Sequence, residues 1–385
     1  MSESILLCAN EPLFDYILAQ YFNAKRQDFN FVAIEQDINT LYEFAATSRP
    51  TMDLSPRTDN SNFAISFSSV EIKMYDYENG KQGQLIDESV TQLTITGVLG
   101  LSGQSITMTS LNAIATGGQD NHLVVREVDR RLLPQYRSEV QNMPLPDLTK
   151  VLGFAVVLSS VRVANNQVWV LAGLPGAGQA ALPDSSMPST NQPAIFAAIS
   201  TTAVHDLVHE LFSPVSKQVG DSSSSAGFGY RGSASASASN PQVWISGGKA
   251  SGTIDVSASA SGGIEVVGDW TDVPISVSVS TPPLGLKLVT DGAGKTAYVE
   301  PYITDPVSLS FDLPGVLGDV ADDILGAINS LAGTITSAIN DGLAAINIKA
   351  LALPATVPGT DYQVNLAFEG LGFSGNSVVS TITAS

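Results

Sequence analysis

Apolar positions recur along this chain with two distinct periods. Phe14, Ile17, Leu18, Tyr21 and Phe22 fall at helical spacing, and Val204, Leu207, Val208, Leu211 and Phe212 repeat it. The surrounding segments, Ile5–Phe22 (ILLCANEPLFDYILAQYF) and Ile195–Phe212 (IFAAISTTAVHDLVHELF), align without a gap, Leu6 falling on Phe196. This predicts two units that each open with an amphipathic helix. A longer stripe runs from Asp319 to Ile346, with apolar residues at 320, 324, 328, 331, 335, 339, 343 and 346. At 1.5 Å per residue such a helix is roughly 40 Å long. Its other face is mostly Asn, Ser and Thr, which predicts a helix lying against a sheet.

Alternation with period two marks strands. In the first half it covers Phe63–Tyr77, Ser89–Val98 and Gln104–Thr109. In the second it covers Gln242–Ser246, Gly252–Ser261, Val273–Ser280, Gly285–Thr290 and Val307–Leu313. The ends of the halves also match. Leu145-Pro146 leads to the strand Phe154, Val156, Leu158, and Leu353-Pro354 leads to Tyr362, Val364, Leu366. Each passes a turn (Asn166, Asn376) into a second apolar run. The predicted organisation is a first unit over 1–174, a Gly/Ala/Pro/Ser-rich linker over 175–193 and a second unit over 194–385. The fold class expected is α+β, in two tandem tubular units, each a strongly curved antiparallel sheet around a long helix. The Ser-Ala runs Ser233–Ser239 and Ser257–Ser261 read two ways: as solvated loop, or as a sheet whose tiny side chains leave room for something else.

Composition narrows the partners. The 385 residues include 18 Lys and Arg against 37 Asp and Glu, a net charge of −19, while 44% are hydrophobic. That is a folded chain rather than an acidic disordered one, and it lacks the clustered cations that nucleic acid or an anionic membrane demands. Residues 1–175 carry 12 basic and 19 acidic side chains; residues 176–385 carry 6 and 18, so the second half is the more acidic. Cys8 is the only cysteine, which excludes an intrachain disulfide. The acidic start Met1-Ser2-Glu3-Ser4 does not read as a cleavable signal peptide, and polar residues break the apolar run 324–340, so no transmembrane segment is expected. The expected location is the cytoplasm at synthesis, with any export by a non-classical route.

Candidate chemistry is sparse. His205-Asp206-Leu207-Val208-His209 has the spacing of a zinc hydrolase pair, with Asp in place of the usual Glu. The repeat sets Asp15 and Ala19 at the matching positions, which favours an ordinary helix surface. Asp291-Gly292-Ala293-Gly294-Lys295-Thr296 resembles a phosphate loop, but Val289 stands where its first Gly belongs and strands flank it, so it reads as a hairpin turn. Asp87-Glu88 reads as a turn and Asp322-Asp323 as a helix start. Arg126, Arg130, Arg131 and Arg137 form a candidate anion patch, interleaved with Glu127 and Asp129 as on a solvated face. No nucleophile elbow is present, and neither an enzyme nor a cofactor is indicated.

The tandem units, the opening Ile195-Phe196-Ala197-Ala198-Ile199-Ser200 with Val204 and Leu207, and the closing Leu353-Pro354 to Asn376 segment resemble the tubular lipid-binding superfamily. The two-unit bactericidal/permeability-increasing type is similar in layout. The bacterial branch containing the forty-seven-kilodalton protein encoded beside clostridial neurotoxins is similar in motif. The resemblance implies non-enzymatic binding of lipid, or another long apolar molecule, in a tunnel between helix and sheet. Its lining would be Leu325, Ile328, Leu331, Ile335, Ile339 and Leu343, with Phe14, Ile17, Tyr21, Val204, Leu207 and Leu211. Helical stripes normally pack a core, and that is the favoured reading of the same residues. The alternatives are an accessory subunit of a secreted toxin-like complex with a protein partner and no ligand, and a metal-dependent hydrolase using His205 and His209.

Overall fold

A computed structural model describes residues 4–24, 26–55, 57–103, 105–117, 125–126, 129–130, 154–175, 192–225, 228–312, 319–352 and 366–384. The described residues are mostly sheet, with three α-helices of eleven residues or more and one sheet curled into a half-barrel.

A central six-stranded antiparallel sheet is built from both ends of both halves. It contains β1 (Ile5–Asn10), β8 (Val157–Ala164), β9 (Gln167–Gly173), β10 (Ala194–Ser200), β20 (Leu366–Ser374) and β21 (Ser377–Ala384), in the order β20-β21-β10-β1-β9-β8. The six residues that open each aligned segment are therefore strand, and the helix starts after them. Ile5 pairs with Ala172 in β9, and its counterpart Ile195 pairs with Ile382 in β21. The hairpins match too: the register slips between Leu158 and Ser160 in one and between Phe368 and Gly370 in the other. Asn165 and Asn166 turn the first hairpin at positive φ, a backbone region that Asn tolerates better than most residues.

Each central strand runs into a capped helix. The Asn10 side chain accepts from the Leu13 N–H at the start of α1 (Glu11–Ala24), and Ser200 accepts from Ala203 at the start of α2 (Thr201–Leu211). Both caps satisfy an orphan donor of the first turn. The first residue of each helix then receives a backbone N–H on its side chain: Leu54, just past β4, to Glu11 at 2.9 Å, and Ile245 of β12 to Thr201 at 2.7 Å.

In the first half, α1 packs on β4 (Pro50–Asp53). That strand lies beside the sheet β2 (Asn30–Glu35), β3 (Thr40–Ala46), β5 (Phe63–Glu78), β6 (Lys81–Ser102) and β7 (Ser105–Thr116). Asp87 and Glu88 lie within β6 rather than at a turn, exposed on its long outer end. In the second half the sheet order is β11 (Val215–Ser225), β12 (Phe228–Ser246), β13 (Lys249–Val266), β16 (Pro283–Thr290), β17 (Thr296–Ile303) and β19 (Ile348–Ala352), with β14 (Asp269–Val273) paired to β13. Pro274 interrupts the predicted strand 273–280, whose latter part is β15 (Ser276–Val279), paired with β18 (Leu309–Asp312). The GKT segment is the β16–β17 hairpin turn: Asp291 Oδ1 accepts from Lys295 N–H at 2.7 Å, and Gly294 takes φ +64°.

The Ser-Ala runs are strand, not loop. Ala234, Ala236 and Ala238 are buried and face inward, beneath α2 and α3 (Asp319–Ala344), both of which pack on β12. The serines face outward and pair across β12 and β13: Ser233 with Ser261 at 2.8 Å, Ser235 with Ser259 at 2.9 Å, Ser237 with Ser257 at 2.8 Å. The room left by the small side chains is filled by helices. Leu331, Ile335, Ile339 and Leu343 of α3 are 0% exposed and join the same core as these alanines. Each such burial is worth about 1.5–3 kcal/mol.

Candidate ligand cavity

A cavity of about 520 Å³ opens where α2 meets the first half's closing hairpin. Phe154 and Ala155 reach it from just before β8, and Leu174 and Pro175 from just after β9. Asp206, Leu207, Glu210 and Leu211 come from α2, and Asn347 and Ile348 from the start of β19. Helical geometry explains the α2 contribution, since positions 206, 207, 210 and 211 are neighbours on one face. Leu207 and Ile348 are buried in the main core and form its apolar floor, with Phe154 and Leu174 packed against that core. Leu211 is 51% exposed, which places apolar surface at the edge. Asp206 is half-buried and Glu210 exposed, and no cation is among the described lining residues. The arrangement offers apolar burial with negative charge on one side. That volume and mixture suit a small amphiphilic ligand.

The residues expected to line a tunnel are placed as follows. Leu207 and Leu211 line this cavity, while Val204, one turn earlier, is fully enclosed. Leu331, Ile335, Ile339 and Leu343 sit in the packed core beneath β12, and the side chains of Leu325 and Ile328 lie outside the described residues. Phe14 and Tyr21 are half-buried against the first half's core, Tyr21 meeting Phe29 edge to face, and Ile17 is half-buried beside them on α1.

The other candidates are spread out. Arg126 is ion-paired to Glu35 and Arg130 is also engaged, while Arg131 and Arg137 lie outside the described residues. The rings of His205 and His209 stack with centroids 6.3 Å apart. Among the described residues no group of three or more His, Cys, Asp or Glu is placed to hold a metal ion. No described helix is long and apolar enough to cross a membrane.

Periodicity missed Phe154, Leu174, Asp206, Glu210, Asn347 and Ile348 as a set. One signal for part of it was present in the alignment of the two opening segments, where Tyr16 and Gln20 of α1 fall on Asp206 and Glu210.

No protein-family model matches the sequence. No curated protein matches it. Among solved structures, lipopolysaccharide binding protein is similar along 100% of this chain and 98% of its own, at 11% identity and a TM-score of 0.46. P47 of Clostridium botulinum E1 is similar along 100% and 99%, at 11% identity and a TM-score of 0.41. P47 from Clostridium botulinum A2 is similar along 100% and 97%, at 10% identity and a TM-score of 0.43. These neighbours are of the two types that the sequence motifs resemble. At these scores the likeness is one of general arrangement, and function has to be read from the chain's own residues.

Proposed function

We propose that this protein binds a lipid or another long apolar molecule without catalysing a reaction, as a carrier or accessory protein built from two tandem tubular units. The cavity at the α2 edge carries this reading. It combines a buried floor (Leu207, Ile348) with flanking Phe154 and Leu174 and a half-exposed Leu211. Hydrophobic transfer of an alkyl chain from water into that space supplies the driving force. The matched caps, registers and hairpin slips of the central sheet support the two-unit organisation.

Native mass spectrometry of the purified protein and titration with a neutral fluorescent long-chain alcohol test this reading. A bound lipid, or saturable uptake of the probe, is expected. Leu211→Trp, which fills the cavity from an exposed position, should weaken uptake by roughly tenfold or more, about 1.4 kcal/mol. No co-purifying lipid together with no uptake overturns it.

The second reading, an accessory subunit with a filled interior and a protein partner, is favoured by the enclosed stripe Leu331, Ile335, Ile339 and Leu343. A stoichiometric partner recovered from native lysate, with an empty cavity, is its expected result.

A further inference from the structure

Building on the apolar-ligand reading, we propose that the cavity selects a single-chain amphiphile with a positively charged head, of the alkylammonium class, using Asp206 and Glu210 as counter-charges. The volume sets the chain number. At about 30 Å³ for a water-sized group, 520 Å³ holds on the order of fifteen heavy atoms, enough for one alkyl chain and its head. The lining sets the polarity. Of its ten described residues seven are apolar (Phe154, Ala155, Leu174, Pro175, Leu207, Leu211 and Ile348), and the charged ones among them are Asp206 and Glu210. An anionic head, whether carboxylate or phosphate, would meet like charge from these two side chains.

Helix physics does not ask for those carboxylates. They stand one turn apart on α2, where like charges repel. Glu210 also lies in the last turn, next to the negative end of the helix dipole. The matching positions on α1 are Tyr16 and Gln20, so the helix of this repeat is built without either charge. The acidic pair is a local departure at the one place where α2 borders the cavity.

The experiment compares three probes that share one chain, dodecylammonium, dodecanol and dodecanoate, titrated at neutral pH below their aggregation limits. Dodecylammonium should bind roughly tenfold tighter than dodecanol, the size of one modest ion-pair contribution, and dodecanoate more weakly than either. In the Asp206→Asn/Glu210→Gln double variant, with folding checked by its thermal transition, the ammonium-to-alcohol ratio should fall towards one. On the unaltered protein, raising salt should narrow the same ratio, because partly exposed charges are screened. Dodecanoate binding as tightly as dodecylammonium, or a ratio insensitive to both salt and substitution, overturns the head-group assignment. Equal binding of all three probes overturns only that assignment and leaves the apolar site standing. Binding of none overturns the apolar site, and the head-group assignment with it.

Discussion

Leu7 in β1 and Ala197 in β10 are direct register partners, and they are also the residues that fall on each other when Ile5–Phe22 is laid on Ile195–Phe212. A local two-fold relation therefore passes through this pair, and the sheet order reads alike in either direction from it. The strands on both sides depend on this junction. Phe196, buried and paired with Cys8, is expected to cost about 3–5 kcal/mol when replaced by Ala. Chemical denaturation followed by both sheet and aromatic signals should show the loss.

The alanine face of β12 sets how closely the helices approach. Ala236→Leu places a larger side chain under α2 and α3 and should destabilise by about 1–3 kcal/mol, as overpacked cores do. Ser235→Thr, on the outer face beside Ser259, should stay within about 0.5 kcal/mol. Thermal unfolding of the two variants side by side separates the faces.

The β13–β14 turn holds Val267 at φ +55°, and the residue is 81% exposed. A β-branched residue is strained there, whereas Asn adopts that region readily. Val267→Asn should raise stability by about 1 kcal/mol, read as an upward shift of the thermal midpoint.

Asp15 couples the first half's fold to pH. Burial raises its carboxyl above the ordinary range, outweighing the opposing hydrogen bond from Met52 N–H at 2.6 Å. A raised acid is easier to keep neutral in the folded state. It therefore loses stability as pH rises from the unfolded-state value through the folded one. Asp15→Asn keeps an acceptor for Met52 and removes the charge. The variant should gain on the parent protein at neutral pH, and the gain should vanish below about pH 4. Melting curves across that interval check the sign.

Cys8 lies in the centre of the sheet, its thiol donating to Gln167 Oε1 at 3.2 Å, and burial pushes it up to about 12. The thiolate is the reactive form. A thiol-exchange chromophore should therefore leave the native protein unlabelled at mildly alkaline pH and label it stoichiometrically once denaturant is added. Rapid native labelling would contradict the buried placement.

Much of this architecture was legible because it is locally coded. The stripe 320–346 gave α3, the alternation 63–77 gave β5, and Asn166 and Asn376 marked hairpin turns. The runs ILLCAN and AIFAAIS were not legible as strands, since a short continuous apolar run carries no period and simply precedes a helix that does. The Ser-Ala strands were ambiguous because their residues have little intrinsic preference for sheet. Their two faces are told apart only by the helices that cover one of them. The cavity was the least legible part. Phe154, Leu174, Leu207 and Ile348 come from distant stretches of chain, and no local pattern links them.

The central sheet also has a kinetic meaning. β1 is made before both of its neighbours, β9 and β10, so Ile5 must wait for Ala172 and Ile199. Closing such long loops comes before any contact repays it, which makes folding slow. Until then the apolar Ile5-Leu6-Leu7-Cys8 edge is unpaired on the growing chain. Synthesis of this protein should therefore lean on whatever shields nascent strands, and its yield should be decided before its last strand is made.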